Sequence, residues 1–402
     1  MIGRFFVSNG NVSEWKFAVE RIARKPKMET NRTQTNRTQC RLMRALRREP
    51  LERPPIWMMR QAGRYMDEYR QVRERTPFLT LCKTPELASD VMVSAVRRIG
   101  VDAAILFADL LPILIPMGFQ LEYAAGEGPV LTPPIRNASH VDRVRALDAE
   151  SIHTLDFTFD AVRLTRQKLD RIERTNENDE REGIPLIGFA GAPFTLASYA
   201  IEGGASRNFA ATKEFMRSDP GAWRELLRRI AQSVTHYLNA QIDAGADVVQ
   251  IFDSWIGTLG PAEFQRYAFP YLREILNQLR PGTPVIYFAA GNPELLSVVR
   301  ELRDETADRD TPFCIGVDWR VELSEAARRI GPEIAIQGNL DPTVLLAPRS
   351  VVHAETQRLL ETMRERPGWI FNLGHGILPQ TSVDAVCTCV TTVKEWRHTK
   401  PI

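Results

Sequence analysis

Apolar and polar positions along this chain repeat on two length scales. Short runs rich in β-branched and aromatic residues recur at 55–59 (PIWMM), 102–107 (DAAILF), 186–190 (LIGFA), 247–252 (DVVQIF), 284–289 (PVIYFA), 313–317 (FCIGV), 334–338 (IAIQG) and 369–373 (WIFNL). Each reads as a buried strand. Longer stretches between them carry helical spacing. In "GAWRELLRRIAQSVTHYLNAQIDAGAD" the residues Trp223, Leu226, Leu227, Ile230, Val234, Tyr237, Leu238 and Ile242 mark one apolar face. "IGVDAAILF" and "AGADVVQIF" repeat one device. A helix ends at glycine, a short turn carries aspartate, and a strand begins.

Eight strands alternating with helices predict a single α/β domain of the (β/α)8-barrel type. An open doubly wound sheet gives the same alternation. No G-x-G-x-x-G follows the first run, which removes the commonest reason to choose it. The polar segment "RIERTNENDEREG" at 171–183 reads as a solvated excursion from the surface.

In such a barrel the C-terminal ends of the strands meet at one mouth, where the chemistry sits. The first run ends at Arg60 and the second in Phe107-Ala108-Asp109. The third opens into "GAPFTLASYAIEGG", and the fourth ends in Asp253-Ser254. The sixth ends at Asp318, the seventh in Asn339-Leu340-Asp341, and the eighth in "NLGHG" with His375. Asp253 either faces the cleft or caps the next helix; Asp318 and Asn339 read as strand-end turn residues. Arginine presents a planar fork that grips carboxylate or phosphate, so this inventory favours an anionic ligand. Gly63, between Arg60 and Arg64, lets backbone come close to it. Arg64, Arg70 and Arg73 have a plainer alternative, pairing with Asp67, Glu68 and Glu74 on a solvated helix face.

Composition adds exclusions. The chain has 402 residues, is 44% hydrophobic and carries a net charge of +2. That balance gives no global pull toward nucleic acid or an anionic membrane. No apolar run approaches the roughly 18–20 residues of a membrane span. The five cysteines are Cys40, Cys82, Cys314, Cys387 and Cys389, with no C-x-x-C. They predict reduced thiols in a cytoplasmic protein. Cys387 and Cys389 with Asp384 form at most half a metal site and read as structural thiols. The first fifty residues hold twelve Lys/Arg against four Asp/Glu and the direct repeat "TNRTQTNRTQ". They lack a secretory core, and Glu14 and Glu20 do not suit an organelle transit peptide. Residues 1–40 therefore read as a dispensable basic extension, 41–396 as the barrel and 397–402 as a tail.

"MRQAGRYMDEYRQVR" (59–73) closely resembles the signature of the uroporphyrinogen decarboxylase family, and "IGFAGAPFTLASYAIEGG" (187–204) resembles its second signature. "ILFADLL", "IFDSWIG", "GVDWRVELSEA", "QGNLDP" and "FNLGHGILP" resemble further blocks in the expected order. The resemblance implies a distorted (β/α)8 barrel, usually a homodimer, with no metal or organic cofactor. It implies removal of CO2 from the four acetates of uroporphyrinogen III, giving coproporphyrinogen III. Asp109 would stabilise a protonated pyrrole. Arg60, Gln61, Ala62, Gly63 and Arg64 would line the substrate, with Arg73 further along the segment. Arg60 is also the candidate proton donor, an unusual role for a group whose pKa normally exceeds 12. Tyr199 and Ser254 would supply hydroxyl contacts and His375 a carboxylate contact. His375 as a backbone-bonded turn residue, and Asp109 in a structural ion pair, are the plain alternatives.

Ala290 stands where many members of the family carry lysine, so no lysine acts from that position here. Two other functions remain. A corrinoid-dependent methyltransferase of the same superfamily would need a His-x-Cys pair, and the chain has none. A non-catalytic tetrapyrrole carrier would keep the arginines but have no use for Asp109.

Removing residues 1–27 is expected to leave melting temperature and turnover nearly unchanged, since the segment lies outside the resemblance and unpacked termini tolerate loss. A large drop in either quantity on truncation would show that the extension docks on the barrel.

Overall fold

The computed structural model describes residues 37–124, 128–172, 174, 182–306 and 310–397. Seven parallel strands form one curled sheet: β1 (Ala104–Ile105), then β4 (Leu186–Gly191), β5 (Val248–Asp253), β6 (Val285–Ala289), β7 (Phe313–Val317), β8 (Ala335–Gln337) and β9 (Trp369–Ile370). The order in the sheet follows the order in the chain, as in a barrel with helical crossovers.

The first predicted strand, 55–59, is not a regular one. It touches β9 through a single parallel bridge, Ile56 to Phe371, with Phe371 N–H donating to the Pro55 carbonyl at 2.9 Å. On its other side Asp102 N–H donates to the Ile56 carbonyl at 2.7 Å. This segment therefore spans the gap between β9 and β1 and closes the ring. The fold is a distorted (β/α)8 barrel in which one stave is reduced to a few bonds. β1 and β9 are also shorter than their apolar runs.

The glycine-turn-aspartate device is a clamp between neighbouring strands. Gly100 and Gly245 close the helices Pro85–Ile99 and Pro220–Ala244 at positive φ. The Asp102 carboxylate then accepts the Ile56 N–H at 2.8 Å, and the Asp247 carboxylate accepts the Leu186 N–H at 2.8 Å. Asp102 is gripped by both terminal nitrogens of Arg53 at 2.7 and 2.9 Å. Asp247 is held by Arg37 at 3.0 Å and Arg166 at 2.9 Å. Each clamp fixes the start of one strand against the start of its neighbour.

The long helix Pro220–Ala244 starts on its Asp219 cap, which accepts the Ala222 N–H at 2.9 Å. It buries Trp223, Leu226, Leu227, Ile230, Val234, Tyr237 and Leu238 as its spacing predicts, with Ile242 half-buried. Inside the barrel the Trp57 indole donates to Gln337 at 2.9 Å, and Gln337 donates to Gln250 at 3.2 Å. An antiparallel hairpin, β2 (Gln120–Ala124) with β3 (Gly128–Thr132), stands outside the barrel alternation and was not foreseen. Cys389 is buried and accepts the Thr356 hydroxyl at 3.3 Å, while Cys387 faces the Arg98 carbonyl.

Residues 1–36 and 398–402 lie outside the described residues, as do most of 171–183. Residues 37–40 belong to the packed body instead of the extension: Arg37 pairs with Asp247 and Asp170, and Cys40 is buried. Among the described residues no helix is long and apolar enough to cross a membrane.

Asp102 sets a testable threshold. Burial pushes its carboxyl up, but the Arg53 guanidinium and the Ile56 N–H outweigh this and hold it below the ordinary value. A depressed acid contributes stability above its unfolded-state pKa of about 4, and that contribution fades as pH falls through the folded value. Asp102→Asn is expected to cost about 3–5 kcal/mol at pH 7, as for one partner removed from a buried pair. The deficit should shrink below about pH 4. A loss under about 1 kcal/mol in urea unfolding, the range of an exposed pair, would show that the clamp is dispensable.

Candidate active site

Arg60 follows the closing segment directly. Its position is set from behind: Met59 N–H donates to the Asn372 side chain at 3.1 Å, and Ile377 N–H donates to the Met59 carbonyl at 3.0 Å. Arg60 itself adopts φ +61°, a left-handed conformation that costs a non-glycine residue about 1–2 kcal/mol. Its stem lies on Gly376, where an added Cβ would fall 2.4 Å from Cδ.

Gly63 has a related role. A Cβ there would sit 2.8 Å from the Arg60 carbonyl oxygen. The close approach that Gly63 permits in this structure is to Arg60's own backbone. Gln61 completes the turn. Its side chain accepts from Met58 N–H at 3.2 Å and donates to the Ala103 carbonyl at 3.1 Å, and its own carbonyl accepts the Tyr65 hydroxyl at 2.8 Å. It is fully buried, so it fixes the turn against the strand entering at 103 and leaves the arginines to face solvent.

Arg60 forms no ion pair and no hydrogen bond with the described residues. Arg64 is exposed and likewise unpaired, and Ala62 and Gly63 are half-buried beside it. Arg70 is different: it pairs with Asp67 and donates to the carbonyls of Arg64 and Tyr65 at 3.1 and 3.0 Å. It braces the turn, which is the plain alternative. Arg73 donates to the Thr76 carbonyl and lies over the Phe78 ring at 5.7 Å.

Asp109 sits just past β1. It is densely surrounded by protein yet still reachable by solvent, as a group at the floor of an open cleft should be. One oxygen accepts the Leu111 N–H at 3.0 Å, and among the described residues no cation lies within ion-pair distance. Burial raises its pKa. The Leu111 N–H, the Tyr123 hydroxyl and the Arg60 guanidinium pull the other way without cancelling the rise. The negative charge of Asp109 in turn reaches Cys82 and Tyr199, each pushed up to about 12 chiefly by burial.

Tyr199, on the helix Pro193–Glu202, contacts the Trp255 ring edge-on at 5.7 Å. Ser254, the neighbour of Trp255, is half-buried and its hydroxyl has no partner among the described residues. His375 contacts Trp319 edge-on at 6.1 Å. Burial first, then the Arg60 and Arg320 guanidiniums, push its pKa down to about 4, with Asp318 opposing. Arg60 therefore acts on Asp109, Tyr199 and His375 at once, so these four residues lie near one another at the mouth.

Asp253 does not cap the helix that follows it; its carboxylate is tied to Thr195, in the first turn of the helix Pro193–Glu202. It is buried, and accepts the Thr195 hydroxyl at 2.6 Å and the Tyr287 hydroxyl at 2.8 Å. Asp318 and Asn339 are turn residues, as expected: Asn339 donates to the Asp318 and Val321 carbonyls at 2.8 Å. Ala290 is buried, and Gly257 packs so closely on its carbonyl that a Cβ there would lie 2.4 Å away.

Two contributors were missed from sequence. Tyr123 comes from the hairpin. Its hydroxyl oxygen is buried, forms no well-aligned hydrogen bond, and lies near enough to Asp109 to favour the carboxylate. The alternation in "FQLEYA" before the glycine-rich turn was the signal available. Arg320 lies two residues beyond a strand-end aspartate, within a motif that drew attention only to the aspartate.

An unpaired guanidinium acting on a carboxylate that has no ion pair among the described residues, at the mouth of a (β/α)8 barrel, is the charge pattern of an enzyme-type barrel with an anionic ligand. The comparisons narrow the class. The uroporphyrinogen decarboxylase (URO-D) family model matches residues 37–396. The chain is 46% identical over 363 residues to a uroporphyrinogen decarboxylase of Roseiflexus sp. (strain RS-1), covering 89% of this chain and 98% of that one. It is 46% identical over 354 residues to one from Sorangium cellulosum (strain So ce56), covering 88% and 95%. Among solved structures, a methyltransferase from Methanosarcina mazei shares the fold at a TM-score of 0.70, with 18% identity over 89% of this chain and 98% of that one. This chain belongs to the uroporphyrinogen decarboxylase family.

Asp253 gives a pH signature separate from the cleft. Burial raises its carboxyl to about 6, against roughly 4 in an unfolded chain. Folding therefore favours the protonated acid. That contribution is complete below about pH 4 and is lost as pH rises through about 6. The stability of the wild type relative to Asp253→Asn should fall by about 2–3 kcal/mol between pH 4 and 7. A flat difference across this range would mean that the carboxyl titrates normally.

Proposed function

We propose that this protein removes CO2 from the four acetate side chains of uroporphyrinogen III, giving coproporphyrinogen III, in the cytoplasm and as a homodimer. The observation that carries this reading is the isolated charge of Asp109 on the cleft floor. A carboxylate denied a cationic partner by the protein is suited to a cation that forms only during reaction.

The chemistry asks for little else. Protonation of a pyrrole ring carbon makes an electron-poor ring. The bond from the methylene carbon to the carboxylate then breaks, CO2 leaves, and its electron pair flows into the ring as an exocyclic double bond. A proton delivered to the methylene carbon gives the methyl group, and loss of the ring-carbon proton restores the pyrrole. The substrate's own ring is the electron sink, so no cofactor or metal is called for. Asp109 faces the pyrrole N–H groups and opposes the cationic charge. Arg60, Arg64 and Arg73 hold carboxylates, the first two presented by the turn that Gln61, Ala62 and Gly63 shape, and Arg60 is also the candidate proton donor. Tyr199, Ser254 and His375 supply neutral hydrogen-bonding contacts. Residues 1–36 take no part in this chemistry.

Asp109→Asn tests the assignment. Asparagine keeps the shape and can still accept from pyrrole N–H groups, but lacks the charge. Single-turnover decarboxylation is expected to slow by on the order of 10²–10³. Equilibrium binding of a porphyrin should change little, because the lost interaction belongs to the transition state. A variant that turns over within about threefold of the wild type would remove Asp109 from this role.

A further inference from the structure

We infer that Arg320, Trp319 and His375 form a second carboxylate subsite at the mouth, one that grips a substrate carboxylate remote from the reacting acetate. The inference rests on the decarboxylase reading and concerns how the substrate is held.

Arg320 lies just beyond the C-terminal end of β7, so it belongs to the mouth. Its guanidinium is fixed before any ligand arrives. One terminal nitrogen lies 2.5 Å from Asp318 Oδ2, an oxygen that also accepts the Gly291 N–H at 2.7 Å. The other oxygen of Asp318 accepts the Arg320 backbone N–H at 2.9 Å. The planar group stacks on the Trp319 ring at 4.2 Å. Trp319 is itself wedged in place, because a Cβ on Gly374 would fall 2.5 Å from its backbone nitrogen. An arginine immobilised in this way loses little further entropy when it binds an anion.

The remaining donors of Arg320 are available. The side chain is 47% exposed, and neither its Nε nor its second terminal nitrogen has a partner among the described residues. His375, which contacts Trp319, also lies within electrostatic reach of Arg60, a guanidinium without a partner among the described residues. Two guanidiniums thus act on His375, and the nearby carboxylate of Asp318 is buried and already shared among three donors. Burial first, and then the field of the two arginines, keeps the imidazole neutral. An entering carboxylate would relieve the repulsion between the cations and accept from the fork of Arg320 and from the imidazole N–H. The end of β6 adds no competing charge, since Ala289 and Ala290 close it with methyl groups.

The alternative is that Arg320 merely neutralises Asp318. Fluorescence titration separates the two, using the full chain with Arg320→Gln and Arg320→Lys. The probes are uroporphyrin, with eight carboxylates, and coproporphyrin, with four. Arg320→Gln is expected to weaken binding roughly tenfold, the scale of one charge-assisted hydrogen bond, and Arg320→Lys to recover part of it. Loss confined to uroporphyrin assigns the subsite to an acetate; loss for both assigns it to a propionate. In turnover the deficit should appear in KM more than in kcat. A purely structural Arg320 would lower the melting temperature of Arg320→Gln and leave both affinities unchanged, which would overturn the subsite alone. Wild-type protein that bound neither porphyrin would overturn the decarboxylase reading, and the subsite with it.

Discussion

The barrel depends on how its weakest seam is held. Its first stave makes one bridge to β9 and one backbone bond to the turn before β1. A seam that thin does not close on backbone pairing alone. The Asp102 carboxylate adds a bond to the Ile56 N–H, and Arg53 grips the same carboxylate with two nitrogens. The two side chains are only 6% and 7% exposed, so the pair is a desolvated one and strongly committed to its geometry. Asp247 repeats the arrangement between β4 and β5 with Arg37 and Arg166. The first clamp anchors Ile56, and the bonds of Met59 to Asn372 and Ile377 carry that anchoring on to the strained backbone of Arg60.

At the opposite end of the barrel the electrostatic logic reverses. On the N-terminal side the aspartates are paired with arginines and the charges are spent on architecture. At the mouth, Arg60 and Arg64 have no carboxylate partner, and Asp109 no cationic one, among the described residues. Such groups are costly to gather in a partly desolvated cleft, and raised carboxyl and lowered imidazole pKa values are what that cost looks like. A polycarboxylate that becomes transiently cationic satisfies both sets. Asp253 marks the contrast: equally deep, but satisfied by two hydroxyls, it belongs to the core.

Much of this was legible in the sequence. The apolar runs located every strand of the barrel, and the repeated glycine-turn-aspartate device located both clamps, because helix ends and strand starts leave local signatures. The mouth inventory was legible too, since a barrel sends all its strand ends one way. What failed were pairings set by tertiary packing. Gln61 reads as a ligand contact beside two arginines, but its amide is used to tie the turn to residue 103. Gly63 reads as room for a ligand, whereas the room is taken by the Arg60 carbonyl. The shortening of the first stave, the reach of Tyr123 from the hairpin to Asp109 and the stacking of Arg320 on Trp319 have no local pattern. They depend on segments far apart in the chain.

We propose that these unpaired charges strip CO2 from a polycarboxylated tetrapyrrole. The most direct test is anaerobic incubation of the purified full chain with freshly reduced uroporphyrinogen, with products separated by the number of carboxylates they retain. The account predicts loss of the eight-carboxylate species, passage through seven, six and five, and accumulation of four, with one CO2 released at each step. Retention of all eight carboxylates by a substrate that the protein binds would contradict it.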